Sequence, residues 1–349
     1  VKTLNQIAEA LEKPTAVAIR AALLTWRNSV SQEALTAAIT RSGYGIVRSL
    51  YLPSTLRDAL NKFLPQEIEK AVLAGAKYAA ANTRMVKSSS LATMGISFDM
   101  SNPEAVSFLN YYNYELVTGI TSSSMNGLEE ALRAVFVADF TITGAGPYGQ
   151  AVEIRNLIGL LPSQVTAIEN YRDALSGDYP SSSALRNQLR DRRYDGTVGR
   201  ARRLGEPLSE DRINAMVGRY AERQLSYRAL NIARTETLRA SNAGQQQLWR
   251  RAVKSGVLNP STHGKVWMTA QDERVCPVCA PLDGTLVDLE GQFSSDVEAA
   301  DGSTRSYTSS MPPIHPSCRC SMGLGPKMNK PNAGGVVWQL DPETLERVA

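Results

Sequence analysis

Histidine and cysteine are nearly absent from this chain of 349 residues, which has two of the first and four of the second. So few thiols exclude the disulfide-built architecture of small secreted domains, where bridges stand in for a hydrophobic core. No apolar run approaches the roughly 18 residues that a membrane span needs; the nearest, Ala71 to Ala81, is interrupted by Lys77. A dominant charge is also lacking. Against 34 acidic residues stand 38 basic ones, and the net +4 is by itself too weak to argue for a nucleic-acid partner. The opening stretch VKTLNQIAEALEK lacks the apolar core of a signal peptide, so synthesis in a cytoplasm is the expectation. What is present is an ordinary hydrophobic fraction of 43%, in a chain long enough for two domains or for one with a long extension.

The first 85 residues read as helix after helix. Leu4, Ile7, Ala8 and Leu11 recur at helical spacing, and AVAIRAALLTWRNSVSQEALTAAI continues in that style. Pro65 is placed to start a helix at its first turn. The small and polar stretch MVKSSSLATMG predicts a linker. Asn102 and Pro103 then form a cap and a first turn for SNPEAVSFLNYYNYEL, and two further helices are predicted around NGLEEALRAVFVAD and LPSQVTAIENYRDAL. Alternation typical of strands appears only late, at residues 265–269 and 284–289.

Three motifs have modest content. GAGPYG at 144–149 has the glycine spacing of a dinucleotide loop. Its context is helical, Pro147 sits inside it, and no second β-α-β unit follows, so a helix-to-helix turn is the reading. The segment RNQLRDRRYDGTVGRARR carries seven arginines against two aspartates. Arg190, Arg192, Arg193, Arg200, Arg202 and Arg203 form either a solvated helix face or a contact to DNA or an acidic partner. In ALNIARTETLRASNAGQQQLWRRAVKSG, small residues (Ala233, Thr237, Ala240, Ser241, Gly244) invite a close neighbour, and Ser209 is placed to cap the helix leading in. Arg234 and Glu236 are two apart and do not face each other on a helix. A structural ionic brace against the small sheet is the expectation for them, with a catalytic glutamate as the rival.

The fourth motif is the most specific. CPVC supplies Cys276 and Cys279, and HPSCRC supplies His315, Cys318 and Cys320. A C-x2-C turn lets two thiolates reach one tetrahedral ion, and a second pair on another loop closes the site. The expected cofactor is a structural zinc, with Cys276 and Cys279 as the firm half and two of the other three completing the set. Disulfides and buried free thiols are the rival readings.

IARTETLRASNAG, VWMTAQDERVCPVCAPLDG and PPIHPSCRC, in this succession, resemble the phage Mu F-like head morphogenesis family of minor capsid proteins. The resemblance extends over about residues 90–325 and carries Arg234 and Glu236 onto the R-T-E helix, Trp267 and Thr269 onto the strand, and Asp272 and Arg274 onto the turn. It implies a non-enzymatic virion component near the portal vertex, assembled in the host cytoplasm, which assists head assembly and DNA packaging or ejection. The implied partners are portal protein, major capsid or scaffolding protein and packaged DNA, with no membrane. The alternative is a zinc-dependent hydrolase or nucleotide-using transferase centred on Arg234 and Glu236.

The expected fold is α+β, with a predominantly helical first two thirds and then a small mixed region of short antiparallel strands stapled by the Cys/His cluster. The expected divisions are a helical extension (1–88), a helical body (89–228), the Mu F-like module (229–325) and a tail (326–349) whose VVWQL portion is read, with the N-terminal helices, as a docking segment.

Overall fold

The computed structural model describes residues 2–42, 44–83, 91, 95–101, 103–136, 146–299 and 301–327. Asn102, most of the 85–95 linker, Gly144, Ala145 and the tail with its VVWQL segment lie outside the described residues. The helices are α1 (Leu4–Arg27), α2 (Gln32–Ser42), α3 (Tyr44–Leu50), α4 (Pro53–Phe63), α5 (Pro65–Asn82), α6 (Pro103–Phe136), α7 (Gly146–Leu157), α8 (Pro162–Leu175), α9 (Asp195–Leu204) and α10 (Glu210–Lys254). The strands, all late, are β1 (His263–Met268), β2 (Leu286–Val287), β3 (Phe293–Glu298), β4 (Thr304–Ser309) and β5 (Ser321–Pro326). The α+β class is as expected: a long helical part, then short antiparallel strands beside the Cys/His residues.

Two compact units interleave along the chain. One is built from Val1–Ala16, Pro65–Tyr112 and Asn231–Ala349, the other from Val17–Leu64 and Asn113–Leu230. In the second unit, Trp26 packs edge-on against Tyr51 with ring centroids 5.7 Å apart, and its indole N–H donates to the carbonyl of Leu52. The backbone of Ile158–Leu160 is buried there, and buried carbonyls need donors. Arg27 donates to Ile158 O, while Arg228 reaches Gly159 O and the hydroxyls of Ser123 and Ser124.

α6 departs from expectation by being one helix of 34 residues where two were predicted. Between the two predicted helices, Thr121 and Ser124 turn their hydroxyls back onto the carbonyls of Val117 and Ile120 and stay within the helix. Gly127 serves packing here. A Cβ on it would lie 1.7 Å from the backbone oxygen of Leu160. Likewise α1 runs unbroken through Pro14, with Thr15 bonding the Leu11 carbonyl in the disturbed turn.

In the first unit, α5 lies against α10 nearly backbone to backbone. A Cβ on Gly75 would sit 1.8 Å from Ser241 O, and one on Gly244 2.0 Å from Val72 O. These are the small residues that predicted a close neighbour. The far half of α10 carries a three-stranded antiparallel sheet in the order β2-β1-β5, with Trp267 opposite Met322 and Val266 opposite Gly323. β5 is an edge strand, and α10 covers part of that edge with buried amides. Asn242 accepts from Met322 N, and Gln245 donates to Met322 O. β3 and β4 form a separate antiparallel ribbon. Only β1 and the region of β2 were predicted. FSSDVE and TRSYTS are rich in serine, and SMGLGP carries two glycines and a proline, so their strand propensity is poor and long-range pairing decides.

Candidate metal centre

The CPVC turn follows β1. Cys279 N and Ala280 N both donate to Cys276 O, which folds the segment so that both thiols face one side. The HPSCRC loop enters β5. Its tightest point is Ser317, held at a left-handed φ of 58° that costs a non-glycine residue about 1 kcal/mol. That conformation is anchored from α10, where Thr235 Oγ1 accepts from Ser317 N at 3.1 Å and Asn231 Oδ1 faces the Ser317 hydroxyl. Thr235 is the middle residue of the R-T-E stretch. The helix motif therefore positions the cysteine loop.

Together these loops bring all five predicted residues to one place. His315 Nε2 lies 3.0 Å from Cys276 Sγ and 3.2 Å from Cys279 Sγ, and Cys279 Sγ lies 3.7 Å from Cys318 Sγ. Two sets of potential ligands arise, Cys276–Cys279–His315 and Cys279–Cys318–Cys320, with the ligand atoms of each set within 4.8 Å of one another. Cys279 belongs to both.

The donor chemistry fits a cation. Zinc–thiolate bonds of about 2.3 Å in a tetrahedron place sulfurs about 3.8 Å apart, close to the Cys279–Cys318 separation. His315 Nδ1 is 2.9 Å from the carbonyl of Pro316, which needs its proton and leaves Nε2 with a free lone pair toward the sulfurs. The crowded thiols cannot all ionise unaided. Hydrogen bonds from the Cys279 and Cys320 thiols hold Cys318 down at about 2, whereas Cys279, donating to Cys318, is pushed far up. Cys320 is raised to about 12 by Cys318 and by burial, against the lowering influence of Cys279. One thiolate is easy, and more require a positive ion. Trp267 adds a donor on the apolar side, where its buried indole N–H lacks a hydrogen-bond partner and favours a thiolate at Cys320. Around the sulfurs pack Trp267, Leu282, Phe293, Val275, Val287 and Ile314.

The space enclosed is small. The cavity lined by Cys276, Cys279, His315, Cys318 and Cys320 holds about 30 Å³, roughly the room of one water. That room suits an ion. His263, the other histidine, stands at the start of β1 beside the Thr262 hydroxyl and takes no part.

The remaining predicted residues lie elsewhere. Arg234 pairs with Glu12 of α1 at 3.2 Å, and Glu236 pairs with Arg239 at 2.7 Å while accepting from Tyr112 OH at 2.9 Å. The expected brace against the small sheet is thus corrected: both residues brace α10 against other helices. A two-residue offset turns them about 200° apart, so they share no partner. Of the six arginines singled out, Arg190 forms a two-pronged pair with Asp195, and Arg193 pairs with Asp191, which Arg223 also approaches. Arg192, Arg200 and Arg203 are exposed, and Arg202 is half-buried. Gly146 and Pro147 of GAGPYG lie in the first turn of α7, with the helix α6 as the preceding described element.

Asn231, Thr235, Asn242 and Gln245 escaped sequence reasoning. Their signal was a set of amides and a hydroxyl interleaved with the small and apolar residues of α10, where backbone of another segment must be hydrogen-bonded.

Fold and site define an α+β module whose two Cys/His loops meet at an ion-sized centre beside one long helix. Residues 183–323 match the family model described as Phage Mu protein F like protein, so over this stretch the chain is similar to that family. No curated protein and no solved structure matches the chain. No helix among the described residues is long and apolar enough to cross a membrane.

Proposed function

We propose that the protein is a non-enzymatic structural component of a tailed-phage head, a minor capsid protein at the portal vertex that assists head assembly. In this reading one zinc ion is held by four of Cys276, Cys279, His315, Cys318 and Cys320. When bound, the ion keeps the thiols ionised and ties the two loops together; it supplies no chemistry to a substrate. The observation that carries the reading is the cavity of about 30 Å³, lined by the five candidate ligands. The match of residues 183–323 to a phage family supports the setting. An enzymatic role at Arg234 and Glu236 is disfavoured because each is engaged in an ion pair.

The test is metal analysis of the purified full chain, with a pull-down by the portal protein of the same phage. One zinc per chain and portal binding are expected. Metal-free protein with reduced thiols and an unchanged melting transition would remove the centre, and failure to join heads would remove the structural role.

A further inference from the structure

The basic segment 186–203 holds five positive charges in excess, one more than the net +4 of the whole chain, so the rest of the molecule is close to neutral. Its two acids are already committed. Asp195 takes both prongs of Arg190 at 2.8 and 2.9 Å, and Asp191, buried, takes Arg193 at 2.6 Å and Arg223 of α10 at 3.3 Å. Both carboxyls are held below the usual range by these guanidinium groups, Asp191 at about 2. The arginine excess is therefore not quenched internally. Arg186, Arg192, Arg200 and Arg203 are exposed, and Arg200 and Arg203 share a face of α9 at a three-residue spacing.

Beside this segment runs an open groove of about 470 Å³ between α8 and the turn at Ser182–Leu185. Its lining sets the hydroxyl and amide groups of Ser181, Ser183, Asn170 and Asn187 beside Tyr171 and Ala174, with Asp173 as its one carboxylate. Ser183 and Asn187 adjoin the arginines directly, and Arg190 bonds the Asn187 carbonyl. A phosphodiester backbone is held by arginine, serine and asparagine, without base contacts.

We propose that this arginine surface and the groove beside it bind the backbone of double-stranded DNA without regard to sequence. Binding would scale with salt through release of condensed counterions, by about 0.9 in logarithmic slope for each phosphate neutralised. The surface makes no use of the metal centre.

The experiment is fluorescence anisotropy of the full chain with two short DNA duplexes of unrelated sequence, across a salt series. Equal affinity for both and a steep salt slope are expected. The quadruple variant Arg186→Gln, Arg192→Gln, Arg200→Gln, Arg203→Gln should lower that slope by about three to four units. Lys13→Gln with Lys77→Gln, exposed in the other unit, should leave it unchanged. The four arginines bury little, and circular dichroism with a melting curve checks that the variant is folded. An unchanged slope in the folded quadruple variant overturns the proposal. So does binding to polyglutamate with none to duplex, which would assign the surface to an acidic protein.

Discussion

Arg319 donates both terminal guanidinium nitrogens to the carboxylate of Asp272, at 2.5 and 2.6 Å. Arg319 stands between Cys318 and Cys320, and Asp272 stands four residues before Cys276. This ion pair therefore joins the two ligand loops independently of any metal. Asn5 of α1 adds a bond to the Arg319 carbonyl at 2.8 Å. The geometry is a planar fork on a planar acceptor, which a lysine cannot reproduce.

Asp272→Asn should weaken metal binding about tenfold, the lower end of what outer partners of a metal site contribute. Arg319→Lys should do nearly the same. Competition with a chromophoric chelator measures it. Wild-type affinity in both variants would mean that the cysteine loops are held by their own packing alone.

Cys279 is common to both ligand sets. Cys279→Ser breaks both sets and should abolish stoichiometric zinc binding, while Cys276→Ser leaves Cys279–Cys318–Cys320 and Cys320→Ser leaves Cys276–Cys279–His315, so each should retain at least partial occupancy. Chelation of the wild-type protein should change the fluorescence of Trp267, which packs on the cluster, and lower the melting temperature. The readouts are metal content and emission spectra for each variant.

Glycine substitutions separate packing from propensity. Gly119 has open space around its missing side chain, so Gly119→Ala should stabilise α6 by up to about 1 kcal/mol. Gly75→Ala gains the same propensity but drives its Cβ to within 1.8 Å of the Ser241 carbonyl, which is backbone and yields little. Overpacking of about 3 kcal/mol wins, and a net loss of about 2 kcal/mol is expected. Melting curves of the two variants should shift in opposite directions.

Burial raises the Glu236 carboxyl above its ordinary 4.5, against the opposing pull of Arg239 and the Tyr112 hydroxyl. A carboxyl raised on folding binds more protons in the native than in the unfolded state. Its contribution therefore favours the fold below 4.5 and is lost as pH climbs through the higher, native value. Glu236→Gln keeps an acceptor for Tyr112 and removes the titration. The variant should show a flatter dependence of stability on pH between about 4.5 and neutrality. Denaturant unfolding across that range, with an unaltered slope as the adverse result, checks it.

Much of the helical part was legible because each helix records itself locally. Pro65 and Pro103 start α5 and α6 as placed, and α10 begins just after Ser209. One internal misreading is the division of α6 into two helices. The stretch between its halves is a poor helix former in isolation, and tertiary packing pays the local penalty, as the approach of Gly127 to Leu160 shows.

By itself, the amino-acid sequence determined the α+β class, the helix starts and the five Cys/His candidates, because spacing along a chain is what caps, periodicity and C-x2-C turns depend on. Only the tertiary structure decided that Arg234 and Glu236 serve different helices, that Asp191 and Asp195 are neutralised while four arginines stay exposed, and that Thr235 and Asn242 hold backbone of loops some eighty residues away. Those outcomes depend on which distant backbone groups lack partners, and local spacing carries no record of that.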